Sequence, residues 1–335
     1  KPDMDNACLQ ESENFKIVEL KGSFYPYWEQ VKLPKAVKAE GCDILHCTSN
    51  TAPVNINIPM AVTIHDIIYL EGLKLSKAGG SLYQRLGNMY RKWNVPRVAK
   101  NARKIITVSN SEKKRIDQHF GYEKDKVDVV YNGVSEHFKK IDSQKELSEI
   151  RKKYDLPEKF IFFLGNTDPK KNTRNVLRAF DHYLSKNQAI PLVMLDFGEE
   201  NLKDILKEIG KPHLRKHIHL TGYIINSDLP AIYNLSEVFL YPSLRESFGI
   251  PMLEAMACGT PVITSNTSSM PEIADDAAYI VDPSKPESIS LGIYCRLNNH
   301  SLRNKNIQKG FKRASEFSWR DTAEKTLKIY KSLKR

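Results

Sequence analysis

The sequence predicts an α/β protein whose strands lie in two parallel sheets. Three observations carry that prediction. The chain has 335 residues, more than one ordinary core accommodates, so two domains are expected. Short apolar runs rich in β-branched and aromatic residues alternate with helical patterns, the rhythm of βαβ units. A polar stretch, 135–158, carries no strand pattern and divides the runs into two series.

The first series holds Ile44–Cys47, Ala61–His65, Ile105–Ser109 and Val127–Tyr131. The second holds Phe160–Gly165, Leu192–Gly198, Ile218–Thr221, Val238–Tyr241, Val262–Ser265 and Tyr279–Val281. Helices are expected over 81–100, 111–119, 145–153, 172–186, 201–208, 228–235, 251–258 and 286–298. Ser318–Arg335 reads as an amphipathic helix with Trp319, Ala323, Leu327 and Tyr330 on one side, able to fold back onto the first domain. The first domain is therefore set at 1–140 together with 318–335, and the second at 141–317.

Composition narrows the function classes. The apolar and charged fractions are those of a globular protein, and no apolar run approaches the ~20 residues of a membrane span. No secretory leader is visible, although the chain opens at Lys1 and leaves room for a preceding segment. The five cysteines make no C-x-x-C pair and read as reduced thiols of a cytoplasmic protein. Between Lys74 and Arg115 stand twelve Lys or Arg and one acid, Glu112, which accounts for the whole net charge of +11. Tyr83, Leu86 and Tyr90 fall at helical spacing in this segment, so one reading is a solvated helix whose apolar stripe packs inward. The other is a basic face that meets anionic lipid headgroups or a phosphate-bearing acceptor. No nucleic-acid recognition motif accompanies the charge, so no nucleic acid partner is expected.

The most informative stretch runs from Glu246 to Glu254, Glu-Ser-Phe-Gly-Ile-Pro-Met-Leu-Glu. Pro251 sits where a first helical position belongs and Gly259 where that helix should stop. Glu246 then lies in the loop before the helix and Glu254 in its first turn. The backbone N–H groups of Phe248, Gly249 and Ile250 lack intrahelical partners, and such groups attract phosphate. A carboxylate can hold paired hydroxyls of a ribose or a hexose. Glu254 falls among Ile250, Met252, Leu253, Ala255 and Met256, where a charge needs a partner.

Three further features complete the set. In Gly165-Asn166-Thr167-Asp168-Pro169-Lys170-Lys171-Asn172 a strand ends, turns and presents two lysines just before a helix, a place for phosphate. The strand Val62-Thr63-Ile64 delivers His65 at its carboxyl end, where α/β sites lie; His46 ends a neighbouring strand and is read as structural. The only D-x-D is Asp3-Met4-Asp5, and no Cys/His cluster has zinc spacing, so no metal is expected and lysines with a helix N-terminus would neutralise a diphosphate.

Together these residues resemble family 4 of the retaining glycosyltransferases, the group 1 glycosyl transferases, over nearly the whole chain. The resemblance also draws on Ile105–Ser109, Tyr131-Asn132-Gly133-Val134, Gly222-Tyr223, Tyr241-Pro242-Ser243, Pro261–Ser265 and Phe317-Ser318-Trp319. It implies the GT-B fold, two Rossmann-like domains facing a cleft, with the C-terminal helix crossing back to the first. The family's usual opening βα unit is missing from this sequence, and Asn166 and Lys170 stand where many relatives carry arginine. By the resemblance, Glu246 would hold donor-sugar hydroxyls, Glu254 the ribose, and Lys171 with Lys170 the diphosphate. The backbone at Phe248, Gly249 and Ile250 would meet sugar or diphosphate, Tyr223 would lie near the base, and His65 would stand at the reaction centre.

The implied activity is transfer of a hexose from GDP-mannose or a UDP-hexose to a hydroxyl, without a cofactor; the basic first domain points to a glycan or lipid-linked acceptor, met at the inner membrane face. Two other readings stay open: another GT-B enzyme, a nucleotide-sugar epimerase or a phosphorylase, and a non-catalytic basic module for membrane or nucleic acid.

Overall fold

The computed structural model describes residues 11–22, 24–70, 82–122, 125–187 and 190–334. Asp3-Met4-Asp5, Cys8, Lys74 and Lys77 lie outside them, as does the side chain of Tyr83. Four strands, β1 (Leu45–Cys47), β2 (Met60–Thr63), β3 (Lys104–Thr107) and β4 (Val127–Val129), pair in that order as a parallel sheet. Six more form the second sheet: β5 (Ile161–Phe163), β6 (Leu192–Met194), β7 (Ile218–Leu220), β8 (Val238–Tyr241), β9 (Val262–Ser265) and β10 (Tyr279–Val281). They are all parallel, in the order β10-β9-β8-β5-β6-β7. Every strand expected from the sequence is present, and the polar stretch separates the two sheets.

The second order has a consequence for function. The chain runs outward from β5 through β6 to β7, then returns and runs the other way from β8 through β9 to β10. β5 and β8 are therefore neighbours at the point of reversal, where doubly wound sheets place ligands beyond their carboxyl ends. Both faces of this sheet are covered. Phe160 and Phe162 point into one core and Ile161 and Phe163 into the other, the alternation a strand imposes. In the first sheet β2 is buried along its length, while β1, at an edge, is half-buried.

The helices are α1 (Tyr25–Tyr27), continued through a π-turn at Trp28–Lys32 into α2 (Leu33–Ala39), then α3 (Leu82–Asn101), α4 (Asn110–Phe120) and α5 (Gln144–Lys153). The second half has α6 (Thr173–Leu184), α7 (Glu199–Glu208), α8 (Leu229–Leu235), α9 (Ile250–Ala257), α10 (Met270–Ala274), α11 (Pro286–Asn298), α12 (His300–Ser315) and α13 (Trp319–Leu333). The stretch 25–39, α10 and α12 were not expected. α12 escapes notice because its buried positions are Asn306, Gly310 and Ala314, which make no apolar stripe. Gly310 packs against Met256 of α9, where a Cβ would still make an ordinary van der Waals contact at 3.4 Å.

Two helix faces differ from expectation. In α3 the buried residues among those described are Asn94, Val95, Val98 and Ala99, and of the expected stripe Leu86 is exposed, with Met89 and Trp93, while Tyr90 is half-buried and its hydroxyl donates to Glu29 at 2.5 Å. In α13 Trp319, Ala323 and Leu327 are exposed or half-exposed, and the helix buries Ile329 and Leu333 instead, with Thr322 and Thr326 bonded to backbone. The threonine hydroxyls hide in those bonds: Thr322 donates to the Tyr131 carbonyl at 2.7 Å and Thr326 to that of Thr322 at 2.7 Å.

The expected crossing-back of α13 is observed. Ile329 packs on Ile106 and Val130 of the first domain. Tyr330 pairs through its hydroxyl with His46 Nδ1 at 2.6 Å, and His46 Nε2 meets the Thr63 hydroxyl at 2.8 Å, so both ring nitrogens of His46 have protein partners. No described helix is long and apolar enough to cross a membrane. Cys42, Cys47, Cys258 and Cys295 are free thiols.

Candidate functional site

Lys171 and Glu246 meet at the β5–β8 reversal. Beyond β5 the chain makes a short 3₁₀ turn, Pro169–Lys171, capped by Asp168, whose carboxylate accepts from the Lys170 N–H at 3.0 Å. Beyond β8 the loop from Pro242 leads to Glu246. The two loops are stitched together: the Leu244 N–H donates to the Lys170 carbonyl at 2.7 Å, and the Asn172 amide donates to the carbonyls of Pro242 at 3.0 Å and Pro283 at 2.7 Å. Asn172 reaches this position with a left-handed backbone, φ 63°, which asparagine tolerates. So held, the Lys171 ammonium lies 2.6 Å from Glu246 Oε1 and over the Tyr241 ring, 5.0 Å from its centroid. The pair retains 18% and 14% side-chain exposure, enough for a ligand to reach it. Lys170 points elsewhere, its amine 3.6 Å from Asp168.

After Glu246 the chain enters α9 through Gly249, whose φ of 109° no other residue adopts comfortably; an added Cβ would also strike the Met270 methyl at 2.6 Å. Pro251 stands in the first turn, and α9 ends before Gly259, which caps it with φ 78°. Among the described residues no backbone group accepts from the N–H of Phe248 or Gly249. Glu254 is the fifth residue of α9 and belongs to its second turn, one turn later than the sequence reading put it, because the helix begins at Ile250 rather than at Pro251. Its partner is Tyr233, whose hydroxyl donates to Oε2 at 3.1 Å. Burial pushes the Glu254 carboxyl up to about 7, with the Tyr233 bond opposing.

His65 follows β2 in the first domain. Its backbone N–H donates to Asn50 Oδ1 at 2.6 Å, and its Nε2 lies 2.8 Å from the Thr48 carbonyl. A carbonyl only accepts, so Nε2 carries the proton and, in the neutral ring, Nδ1 presents a lone pair. Tyr223 follows β7 and is 72% exposed, a ring with an open face two strands from the lysine turn.

Sequence reasoning missed the residues that join the halves. Arg245 forms a two-pronged ion pair with Glu112, Nη1 to Oε1 and Nη2 to Oε2, and both side chains are buried. Burial pushes the Glu112 carboxyl up, with Arg245 opposing. Ser109 caps α4 and also donates to the Ser247 carbonyl at 2.8 Å. Glu272 accepts from the Asn110 N–H at 2.8 Å, the Ser111 N–H at 3.0 Å and the Tyr131 hydroxyl at 2.8 Å. The one local signal was Ser109-x-x-Glu112, a helix-capping pattern; nothing in it points to Arg245.

Residues 145–313 match the family described as glycosyl transferases group 1, and residues 8–138 match glycosyltransferase family 4. O-antigen chain mannosyltransferase B from Escherichia coli is 32% identical over 237 residues, 70% of this chain and 61% of that protein. The serotype-specific mannosyltransferase WbdA, also from Escherichia coli, is 30% identical over 223 residues, 65% of this chain and 27% of that protein. The chain thus spans less than two thirds of the length of these relatives. Among solved structures, a glycosyltransferase from Rickettsia africae superposes with a TM-score of 0.72 at 20% identity, covering 95% of this chain and 84% of that one. Anabaena HepE in complex with UDP and glucose superposes with a TM-score of 0.73 at 17% identity, covering 90% and 80%.

Proposed function

The chain belongs to the group 1 glycosyl transferases of glycosyltransferase family 4, with the two-domain GT-B fold, and from that premise we propose that it transfers a hexose from a nucleotide-diphosphate sugar to a hydroxyl of a glycan or lipid-linked acceptor in cell-surface polysaccharide synthesis. One observation carries the reading: the Lys171–Glu246 pair, 2.6 Å apart and partly open, at the reversal point of the second sheet. Without a donor the two charges neutralise each other. A donor exchanges both partners, its diphosphate taking Lys171 and its sugar hydroxyls taking Glu246. The N–H groups at Phe248 and Gly249 add to the diphosphate grip. Glu254 holds the ribose hydroxyls, the open face of Tyr223 receives the base, and Lys170 assists Lys171. His65, with a lone pair on Nδ1, accepts from a hydroxyl of the donor sugar.

In this reading the acceptor oxygen attacks on the face from which the diphosphate departs, so the anomeric configuration is kept. The diphosphate takes the acceptor proton. The protein's main task is to stabilise the negative charge growing on that leaving group, a charge met by lysine and helix N–H groups. Two relatives are named mannosyltransferases, which makes GDP-mannose the first donor to test and UDP-hexoses the second. Incubation with each donor and a glycan acceptor, with the anomeric centre of the product read by NMR, tests the proposal. An inverted product overturns it. A change in the donor when no acceptor is present marks an epimerase instead.

The acceptor side is assigned to an anionic membrane surface met by α3. Leu86, Met89 and Trp93 are exposed there beside the exposed cations Arg85, Arg91, Lys92 and Arg97, and the Arg97 guanidinium lies 5.0 Å from the Trp93 ring. Apolar side chains ringed by arginine and lysine suit the headgroup region of an anionic bilayer.

A further inference from the structure

Two buried charges join the domains directly beside the proposed donor site, and the chemistry of transfer leaves them unused. Arg245 immediately precedes Glu246; its side chain is 3% exposed and that of its partner Glu112, on α4 of the first domain, is 0% exposed. Both Nη atoms donate to the carboxylate, the second at 3.0 Å. Nη1 also donates to the backbone carbonyl of Glu246 at 3.3 Å. The next carbonyl, that of Ser247, accepts from Ser109 of the first domain at 2.8 Å. From the other side Ser269 of the second domain donates to the carbonyls of Glu246 at 3.1 Å and Phe248 at 3.0 Å. The loop carrying Glu246 is therefore suspended between the two domains, and its first-domain supports vanish when the domains separate.

A buried ion pair is a poor device for stability, because removing two charges from water offsets most of their attraction. A two-pronged guanidinium–carboxylate pair is a good device for geometry, because it admits one register. It also permits reversible opening, since each charge is solvated when exposed, unlike two apolar faces.

We propose that Glu112 and Arg245 are positioning residues: closure of the first domain onto the second sets the loop so that Glu246 meets the donor sugar only when the acceptor domain is in place. The proposal rests on the assignment of Glu246 to that sugar. It explains why the contact lies at the residue adjoining Glu246 and not at the rim of the interface.

The test is the double variant Glu112→Leu/Arg245→Met, which removes both charges and so leaves neither buried alone. It should melt near the wild type and bind GDP or UDP as the wild type does. Its kcat should fall ten- to a hundredfold with little change in donor KM. Arg245→Lys, which keeps the charge and loses the fork, should fall between the two. A double variant with wild-type kcat overturns the proposal. Should the double variant fail to fold, Ser109→Ala reads the same loop through its other support, and an unchanged kcat there overturns the proposal equally. Small-angle scattering separates this outcome from failure of the functional reading, because it needs no turnover. The double variant should have the larger radius of gyration, and equal radii overturn the latch even for a protein that transfers nothing.

Discussion

Glu254 shows how one residue's surroundings set its chemistry. Most neighbours in α9 are apolar and buried, and among the described residues the carboxylate's hydrogen-bond partner is a tyrosine hydroxyl, so the carboxyl holds its proton up to about pH 7. Between the ordinary carboxylate range and pH 7 the folded chain therefore binds a proton that the unfolded chain has lost. By linkage, stability falls as pH rises across that window, by about 3 kcal/mol at most. Melting temperatures measured from pH 5 to pH 8 should decline for the wild type and decline less for Glu254→Gln. If the ionised carboxylate takes the ribose hydroxyls, nucleoside diphosphate binding should tighten over the same window, and calorimetry at each pH checks it. Lys171 gives a second prediction. Lys171→Ala should lower kcat by about 10²–10³ while the melting temperature stays near that of the wild type, since the removed partner of Glu246 leaves a carboxylate that water still reaches. Transfer unaffected by that change would remove the phosphate assignment. Glu246, Glu254 and Lys171 were legible from the sequence because each adjoins a strand end or a helix start. The partner of Glu254 was not, because Tyr233 lies 21 residues away on α8.

At the scale of elements, turns were easier to read than faces. Gly249 and Pro251 mark the start of α9 and Gly259 its end through backbone constraints that act within a few residues. Faces depend on the neighbour. α3 turns Leu86, Met89 and Trp93 outward because its inner side is taken by Val95, Val98 and Ala99 in the core around β2 and by Asn94, which donates to the Ala52 carbonyl at 2.8 Å. Similarly, α13 turns a threonine inward because Tyr131 offers a carbonyl where Thr322 lands. The entry to α13 is equally particular. A Cβ at Gly133 would lie 2.2 Å from the Trp319 nitrogen and 2.6 Å from the Ser318 carbonyl carbon, both backbone atoms that cannot rotate away. Gly133→Ala should therefore displace the start of α13 and destabilise the protein by roughly 1–3 kcal/mol. Thermal melting measures the loss, and limited proteolysis after Phe317 should become faster. An unchanged melting temperature would show that α13 is not seated as described.

For the molecule as a whole, charge and closure matter most. The net charge of +11 is matched by the excess of cations in one segment, and the described part of that segment carries the exposed apolar residues of α3. Binding to vesicles of anionic lipid should be measurable by co-sedimentation at low salt and weaken as salt rises past physiological strength, where the screening length falls below about 8 Å. Trp93→Ser should reduce it further if the ring inserts as proposed while the cations attract. Binding that ignores both salt and Trp93 would leave the α3 face as solvated surface. Closure is made by contacts between residues far apart in the chain: 133 residues separate Glu112 from Arg245, and 162 separate Asn110 from Glu272. Such contacts tie the two domains together.

The sequence by itself determined the ten strands, their parallel character, the two-sheet division and the stop of α9 at Gly259, because each follows from periodicity, burial pattern or backbone constraint within about a dozen residues. The meeting of Lys171 with Glu246, 75 residues apart, follows only once β5 and β8 become neighbours. The inward face of α13 and the Glu112–Arg245 pair were decided by tertiary structure alone. Both arise from docking between segments far apart in the chain, and a docked surface selects side chains by the shape and hydrogen bonds of its partner, which no local pattern contains.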